Sequence, residues 1–226
     1  MSNQPYAELE APQRTPEGFL LSVSKMDRNI WIFLLIFGFI WTGISGFILF
    51  NVWQEPANFL KPFLLVFVSV FVLVGLFFCA LGLSDLWVKS KLHPAELILP
   101  QYPLRLGESC SMHYRRRLRN GTFAKPAEIK ARLICDEWVE YRQGTDTVSK
   151  THDLWEMKLP TRTVVTGERQ ADYENEIAIP LEAFPSFYAR HNKVRWRIIV
   201  NLTVPGIPQV CRSEFSLNVV PEMVVS

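Results

Sequence analysis

The sequence predicts a membrane-anchored all-β protein, a two-helix transmembrane hairpin followed by one antiparallel β-sandwich. Three observations carry this. Two charge-free apolar runs stand in the first third of the chain. Apolar and polar residues alternate through most of the remaining two thirds. Prolines and glycines interrupt that alternation too often to leave room for helices between strands.

Residues 1–28 open the chain with Pro5, Pro12 and Pro16 among mixed charges and small polar side chains, the composition of a flexible tail. The first apolar run, NIWIFLLIFGFIWTGISGFILFNVWQ, extends from Asn29 to Gln54; the second, PFLLVFVSVFVLVGLFFCALGLS, extends from Pro62 to Ser84. About 20 helical residues cross a hydrocarbon core of ~30 Å, so each run is long enough. Backbone groups in lipid are satisfied only in helices or closed barrels, and these runs are too long for barrel strands. The expected spans are about 29–53 and 62–84, inside a hairpin unit of residues 29–91. Trp31 and Trp53 bracket the first span and Trp87 follows the second, where interface aromatics belong. A cleaved leader fits poorly, because a long polar stretch precedes the first run and no small-residue cleavage pattern follows it.

Lys25 and Arg28 precede the first span, Lys89 and Lys91 follow the second, and the short connection holds Lys61 alone as a basic residue. The positive-inside rule then places both termini and the sandwich in the cytoplasm. Thr42 and Gly46 lie four residues apart, as do Gly75 and Cys79, spacings that permit close helix contact within the hairpin or in a homo-oligomer. Neither span contains a charge, which leaves no proton relay, ion path or voltage sensor to argue for.

From residue 92 to residue 226 the period changes to two. Leu104, Leu106, Cys110, Met112 and Tyr114 share one parity, with Arg105, Ser109, Ser111, His113 and Arg115 on the other. Further strands are expected over Ala131 to Arg142, around Leu154 to Leu159, and from Asn175 to a stop at Pro180. The cleanest pattern places Val194, Trp196, Ile198, Val200, Leu202 and Val204 on one face, against Arg195, Arg197, Ile199, Asn201 and Thr203. Pro205 and Pro208 turn the chain into a returning strand whose inner face is Cys211, Ser213, Phe215, Leu217 and Val219. About seven strands without intervening helices indicate a sandwich.

Three segments of this region resemble the arrestin-like sandwich, an immunoglobulin-like β-architecture. They are PLRLGESCSMHYRRRL (Pro103 to Leu118), EIAIPLEAFPSF (Glu176 to Phe187) and the long strand KVRWRIIVNLTVPG (Lys193 to Gly206). The resemblance covers roughly Ala95 to Pro221. Two membrane helices followed by such a domain resemble uncharacterised bacterial membrane proteins, which implies an inner-membrane location. The family's tandem sandwiches and its polar core find no counterpart residues here. The resemblance implies a protein-binding or scaffolding architecture.

The motifs leave chemistry thin. Arg115, Arg116, Arg117 and Arg119 precede the turn dipeptide Asn120-Gly121. This run reads as a solvated, charge-blunted strand end, as a contact for anionic lipid, or as a nucleic-acid patch. The last lacks stacking aromatics, and a formal net charge of +2 gives it no support. The strand bearing the run is a candidate exposed edge that could recruit a partner strand by β-augmentation. Arg195 and Arg197 are further candidates for membrane or partner contact. Cys110, Cys135 and Cys211 are too far apart for a metal knuckle, and Cys110 and His113 point to opposite faces of a strand. His93, His113, His152 and His191 are scattered, and no nucleophile elbow or phosphate-cradling loop occurs. Two glycosylation patterns, at Asn120 and Asn201, stay silent in a cytoplasmic domain. The sequence therefore predicts no catalytic residue, cofactor or metal. It predicts an anchored protein-binding or scaffolding module whose partners are the bilayer and a protein, with an accessory subunit of a larger membrane complex as the alternative.

Overall fold

The computed structural model describes residues 11–23, 30–56, 58–207 and 210–222. Lys25 and Arg28, two of the orientation signals, and Pro208 of the last turn lie outside the described residues. The chain divides into a helical unit, Lys25–Lys91, and a β unit made of Met1–Ser24 with Leu92–Ser226.

Helix α1 (Ile30–Gln54) and helix α2 (Lys61–Lys91) form the helical unit. The second helix runs past Ser84 to Lys91, beyond the expected span. The reversal between them is locked by polar atoms. Asn58 Oδ1 accepts the Lys61 amide at 2.8 Å and caps α2, while Lys61 Nζ donates to the Trp53 and Glu55 carbonyls at the end of α1. The helices touch where their side chains are smallest. A Cβ on Gly38 would lie 2.7 Å from the Cys79 nitrogen, and one on Gly75 would meet the Thr42 backbone nitrogen at 2.8 Å. Thr42, Gly75 and Cys79 therefore mark the contact as their spacing suggests. Gly46 does not belong to it, since its position meets nothing within 4 Å, and Gly38 takes its place. Trp41 Nε1 donates to the Phe71 carbonyl at 3.1 Å, and the Phe37 ring meets Phe78 edge-on at 5.3 Å.

Large apolar side chains cover the remaining circumference. Phe39, Phe47, Phe63, Val66 and Leu73 are each at least 65% exposed. Both helices are long and apolar enough to cross a membrane.

In the β unit, one sheet has the order β1 (Gln13–Thr15), β2 (Gly18–Ser22), β3 (Glu96–Leu99), β5 (Ser109–Arg117), β9 (Gln170–Ala178). The second has the order β10 (Phe187–Tyr188), β11 (Asn192–Thr203), β6 (Ala127–Gln143), β7 (Asp146–Lys158). To that sheet β12 (Cys211–Leu217) adds on β11, and β8 (Arg162–Val164) adds on β6. A short parallel pair joins β4 (Leu104–Arg105) to β13 (Val219–Val220), the one departure from antiparallel pairing among the described residues. Strand count exceeds the expected seven because several of these pieces are too short to show a period.

The inner faces match the alternation. Met112, Tyr114, Trp196, Ile198, Val200, Phe215 and Leu217 are all fully buried. Tyr114 from one sheet meets Phe215 from the other edge-on at 6.2 Å, and Trp155 lies 5.5 Å from Trp196. Buried Trp196 satisfies its indole N–H on the Phe184 carbonyl at 2.8 Å, which pins the loop before β10.

The expected flexible tail of residues 1–28 requires correction. Residues 13–22 form a hairpin, and its second strand pairs with β3 from Phe19↔Leu99 to Ser22↔Glu96, burying Leu21. Five residues are too few to display alternation, and their partner lies on the other side of both helices in sequence. Gly18 adopts φ +133, and a Cβ there would strike the Leu99 carbonyl oxygen. The consequence is topological: the helical hairpin is an insertion between two adjacent, paired strands.

Strand directions give the sandwich two distinct ends. The chain leaves for the helices after β2 and returns before β3; beside these lie the β5–β6 connection, the β8–β9 connection and the β11–β12 turn. The opposite end collects residues 100–108, the β6–β7 turn and residues 179–191.

Candidate functional site

The basic run does not form one surface. Strand alternation sends Arg115 and Arg117 outward and sets Arg116 in line with buried Met112 and Tyr114. Arg115 is held by Glu96 at 2.5 Å and Glu17 at 2.9 Å. The hydrogen bond from Arg115 to Glu96, aided by the Glu17 charge, raises its pKa further above the ordinary range. Arg116 donates to the His93 carbonyl at 3.2 Å and reaches Ser213 Oγ at 3.4 Å. Arg117 bonds Gln170, and Arg119 Nε lies 3.4 Å from the Leu92 carbonyl. Arg117 and Arg119 remain exposed.

The strand bearing this run is also not an edge. β5 is flanked by β9 along its whole length and by β3 over His113–Arg115. The arginine-bearing part of β5 therefore lacks the open edge expected for recruiting a partner strand by augmentation, since β9 flanks it on one side and residues 92–98 on the other; Ser109–Met112 pair with β9 alone.

Arg195 and Arg197 occupy the outer face of β11, as their parity requires, and are drawn into an internal charge network. Asp136 sits opposite Arg195 in the β6–β11 register and is fully buried. Arg195 grips it with two bonds, Nε to Oδ1 at 2.9 Å and Nη2 to Oδ2 at 3.2 Å, while Arg197 Nη2 donates to Oδ2 as well. Arg197 also donates to Glu214 at 2.6 Å, and Glu214 accepts from Arg212 at 3.0 Å. Burial opposes the charge on Glu214, yet the Arg197 and Arg212 guanidinium groups outweigh it and hold its pKa below the ordinary carboxylate range. Burial likewise opposes the charge on Arg197, and Glu214 and Asp136 reverse the balance and raise its pKa.

A shallow groove of about 280 Å³ lies on the outer face of the first sheet, lined by Glu17, Ile98, Pro100, Ser111, His113, Arg115 and Glu174. His113 Nε2 stands 3.2 Å from Asp172 Oδ1 on β9. The groove thus presents an imidazole that is paired with a carboxylate outside its lining, but Ser111 makes no hydrogen bond to His113 and so gains no activation as a nucleophile. In the register His113 lies opposite Glu174, and Asp172 reaches it from the diagonal position opposite Arg115, a contact that the linear sequence could not display.

Cys110, Cys135 and Cys211 are buried in the core and are not disulfide-bonded. Burial, with the Glu108 and Glu176 charges, pushes the Cys110 thiol up to about 11; burial and Asp136 push Cys135 up to about 12. Both are protonated at neutral pH and poor nucleophiles. Among the described residues no group of three or more His, Cys, Asp or Glu side chains is placed to hold a metal ion.

No family model matches the chain, and no curated protein matches it. Solved structures similar to it include Spo0M, a sporulation control protein from Bacillus subtilis, at 13% identity and a TM-score of 0.41. That match covers 57% of this chain and 49% of the other, so the chain spans about half the length of that protein. The overlap is too small to carry an argument about this chain.

Proposed function

We propose that the protein is a membrane-anchored binding module, with α1 and α2 crossing the bilayer and the sandwich displayed in the cytoplasm to hold a protein partner. The observation that carries this reading is the insertion of a helical hairpin, apolar around its exposed circumference, between the paired strands β2 and β3. A helix that is apolar all round needs either protein or lipid to cover it. Pairing of β2 with β3 also returns the chain to one folded unit, which fits an even number of crossings. Lys89 and Lys91 in the last turn of α2 favour that side as the cytoplasmic one.

The element best suited to a partner is the outer part of the β6–β7 hairpin. β11 begins at Asn192, opposite Val139, so residues 140–149 continue as a two-stranded arm beyond the sheet. Tyr141 is partly exposed on it, with the Lys150 ammonium 5.9 Å from the ring centroid. Tyr141, Arg142 and Asp146 are exposed on the arm, which thus offers an aromatic and both charge signs.

Two measurements on cell membranes test this. The full chain should resist alkaline carbonate extraction, and release into the supernatant would sink the anchor. A photo-crosslinker at Tyr141 should give a discrete adduct, while one on the helical face at Phe47 should not. The reverse result would favour an accessory subunit that makes its contacts through the helices.

A further inference from the structure

We infer that the sandwich end at which the chain leaves for the helices is docked on anionic lipid headgroups; this rests on the membrane-spanning reading above. Charge is divided unequally between the two ends of the sandwich. Residues 116–126 and 165–170, at the exit end, carry Arg116, Arg117, Arg119, Lys125 and Arg169 against Glu168 alone. The other exit-end segments, 92–95 and 204–210, carry no Asp, Glu, Lys or Arg. At the opposite end, residues 100–108, 140–149 and 179–191 carry three basic residues against four acidic ones. A chain of nearly balanced charge therefore carries its basic excess in the connections at the end of the sandwich where the chain passes to and from the helices.

Chain continuity ties these loops closely, in sequence, to the end of the apolar run. The run ends at Ser84 and α2 ends at Lys91, about 10 Å of helical rise later. Leu92, the next residue, already bridges to Leu118, and the His93 amide donates to the Arg117 carbonyl at 2.9 Å. The Leu118 amide in turn donates to the Arg169 carbonyl at 3.0 Å, so the arginine-bearing loops are stitched to the first residues after the helix. The Debye length at physiological salt is about 8 Å and headgroups extend several ångströms beyond the hydrocarbon, so basic side chains tied this closely in sequence to the end of the apolar run suit an anionic surface. Arg117, Arg119, Lys125 and Arg169 are exposed and can meet it. Neutralising one basic residue near such a surface should weaken docking about fivefold.

The test uses the full chain in nanodiscs of phosphatidylcholine alone or with phosphatidylglycerol, followed by hydrogen exchange of residues 117–126 and 165–170. Exchange there should slow several-fold in the anionic discs. The protection should vanish in high salt and in a K125E/R169E variant, while β6 and β11 amides exchange unchanged and certify the fold. Equal exchange in both discs, in a chain retained by the discs, overturns the docking and leaves the anchor standing. Failure of the chain to incorporate into discs overturns the anchor itself. Protection produced by inorganic phosphate in neutral discs, or by a soluble protein or RNA alone, overturns the assignment to lipid.

Discussion

Asp136→Asn is the most informative single change in the sandwich. The Asp136 side chain is 0% exposed, and its two partners Arg195 and Arg197 are 26% and 18% exposed. Removing one member of a buried ion pair costs about 3–5 kcal/mol, because the remaining charge loses its compensation without regaining water. Here both arginines keep a fringe of solvent and Arg197 retains Glu214, which places Asp136→Asn at the lower bound, about 3 kcal/mol. Arg195→Met leaves Asp136 bonded to Arg197 and should cost about 1.5 kcal/mol, the value of a charge-assisted bond. Hydrogen exchange of β6 and β11 amides under equilibrium-opening conditions reads both numbers, since about 3 kcal/mol raises the open population about a hundredfold. In the Asp136→Asn background, Arg195→Met should then cost much less than it does alone. Additive costs, or an Asp136→Asn effect below about 1 kcal/mol, would refute the view that Asp136 organises this face.

Glu214 gives the network a pH dependence with a definite sign. Its folded pKa lies below the ordinary carboxylate range, so its contribution is complete above that range and is lost as pH falls through the folded value. A Glu214→Gln variant should therefore be less stable than wild type at pH 7, and the gap should close on acidification toward pH 3; a gap that widened would reverse the assignment. Cys110 and Cys135, with thiols near 11 and 12, should resist a maleimide at pH 8 until the chain is unfolded. They are accordingly silent as topology probes, and a Thr145→Cys variant at the exposed β6–β7 turn should report sidedness in intact cells. In the helical unit, Gly38→Leu and Gly75→Leu should separate the helices, read as lost disulfide trapping between cysteines engineered at Phe37 and Phe78. Gly43→Leu and Gly46→Leu, with nothing near their positions, should leave that trapping intact.

Features that repeat locally could be read from the sequence. Apolar runs without charge specify α1 and α2, and the Val-Trp-Ile-Val-Leu parity of β11 predicts which side chains enter the core, because both patterns recur within a few residues. Ile199 shows the limit. It sits on the outward parity yet is buried, since the flanking strands carry long side chains such as Arg132 and Glu214 that the period of β11 knows nothing about. Arg116 could have been separated from Arg115 by applying alternation through the basic run; composition alone hid it. The partners of Asp136, His113 and Ser22 depend on register between distant strands, and a single sequence does not display register. The same reason made β5 look available as an edge when it is interior, and made residues 13–22 look like tail.

The placement of α1 and α2 between β2 and β3 bears on how the protein is made. β2 leaves the ribosome early, but its neighbour β3 is not synthesised until both helices have emerged. Throughout that interval Leu21 and the backbone of β2 have no sheet to join. The first sheet is therefore not encoded by the residues after the helices alone, since β2 precedes them. That sheet closes only after both helices have been synthesised, whereas the β10-β11-β6-β7 sheet is built wholly from residues that follow them.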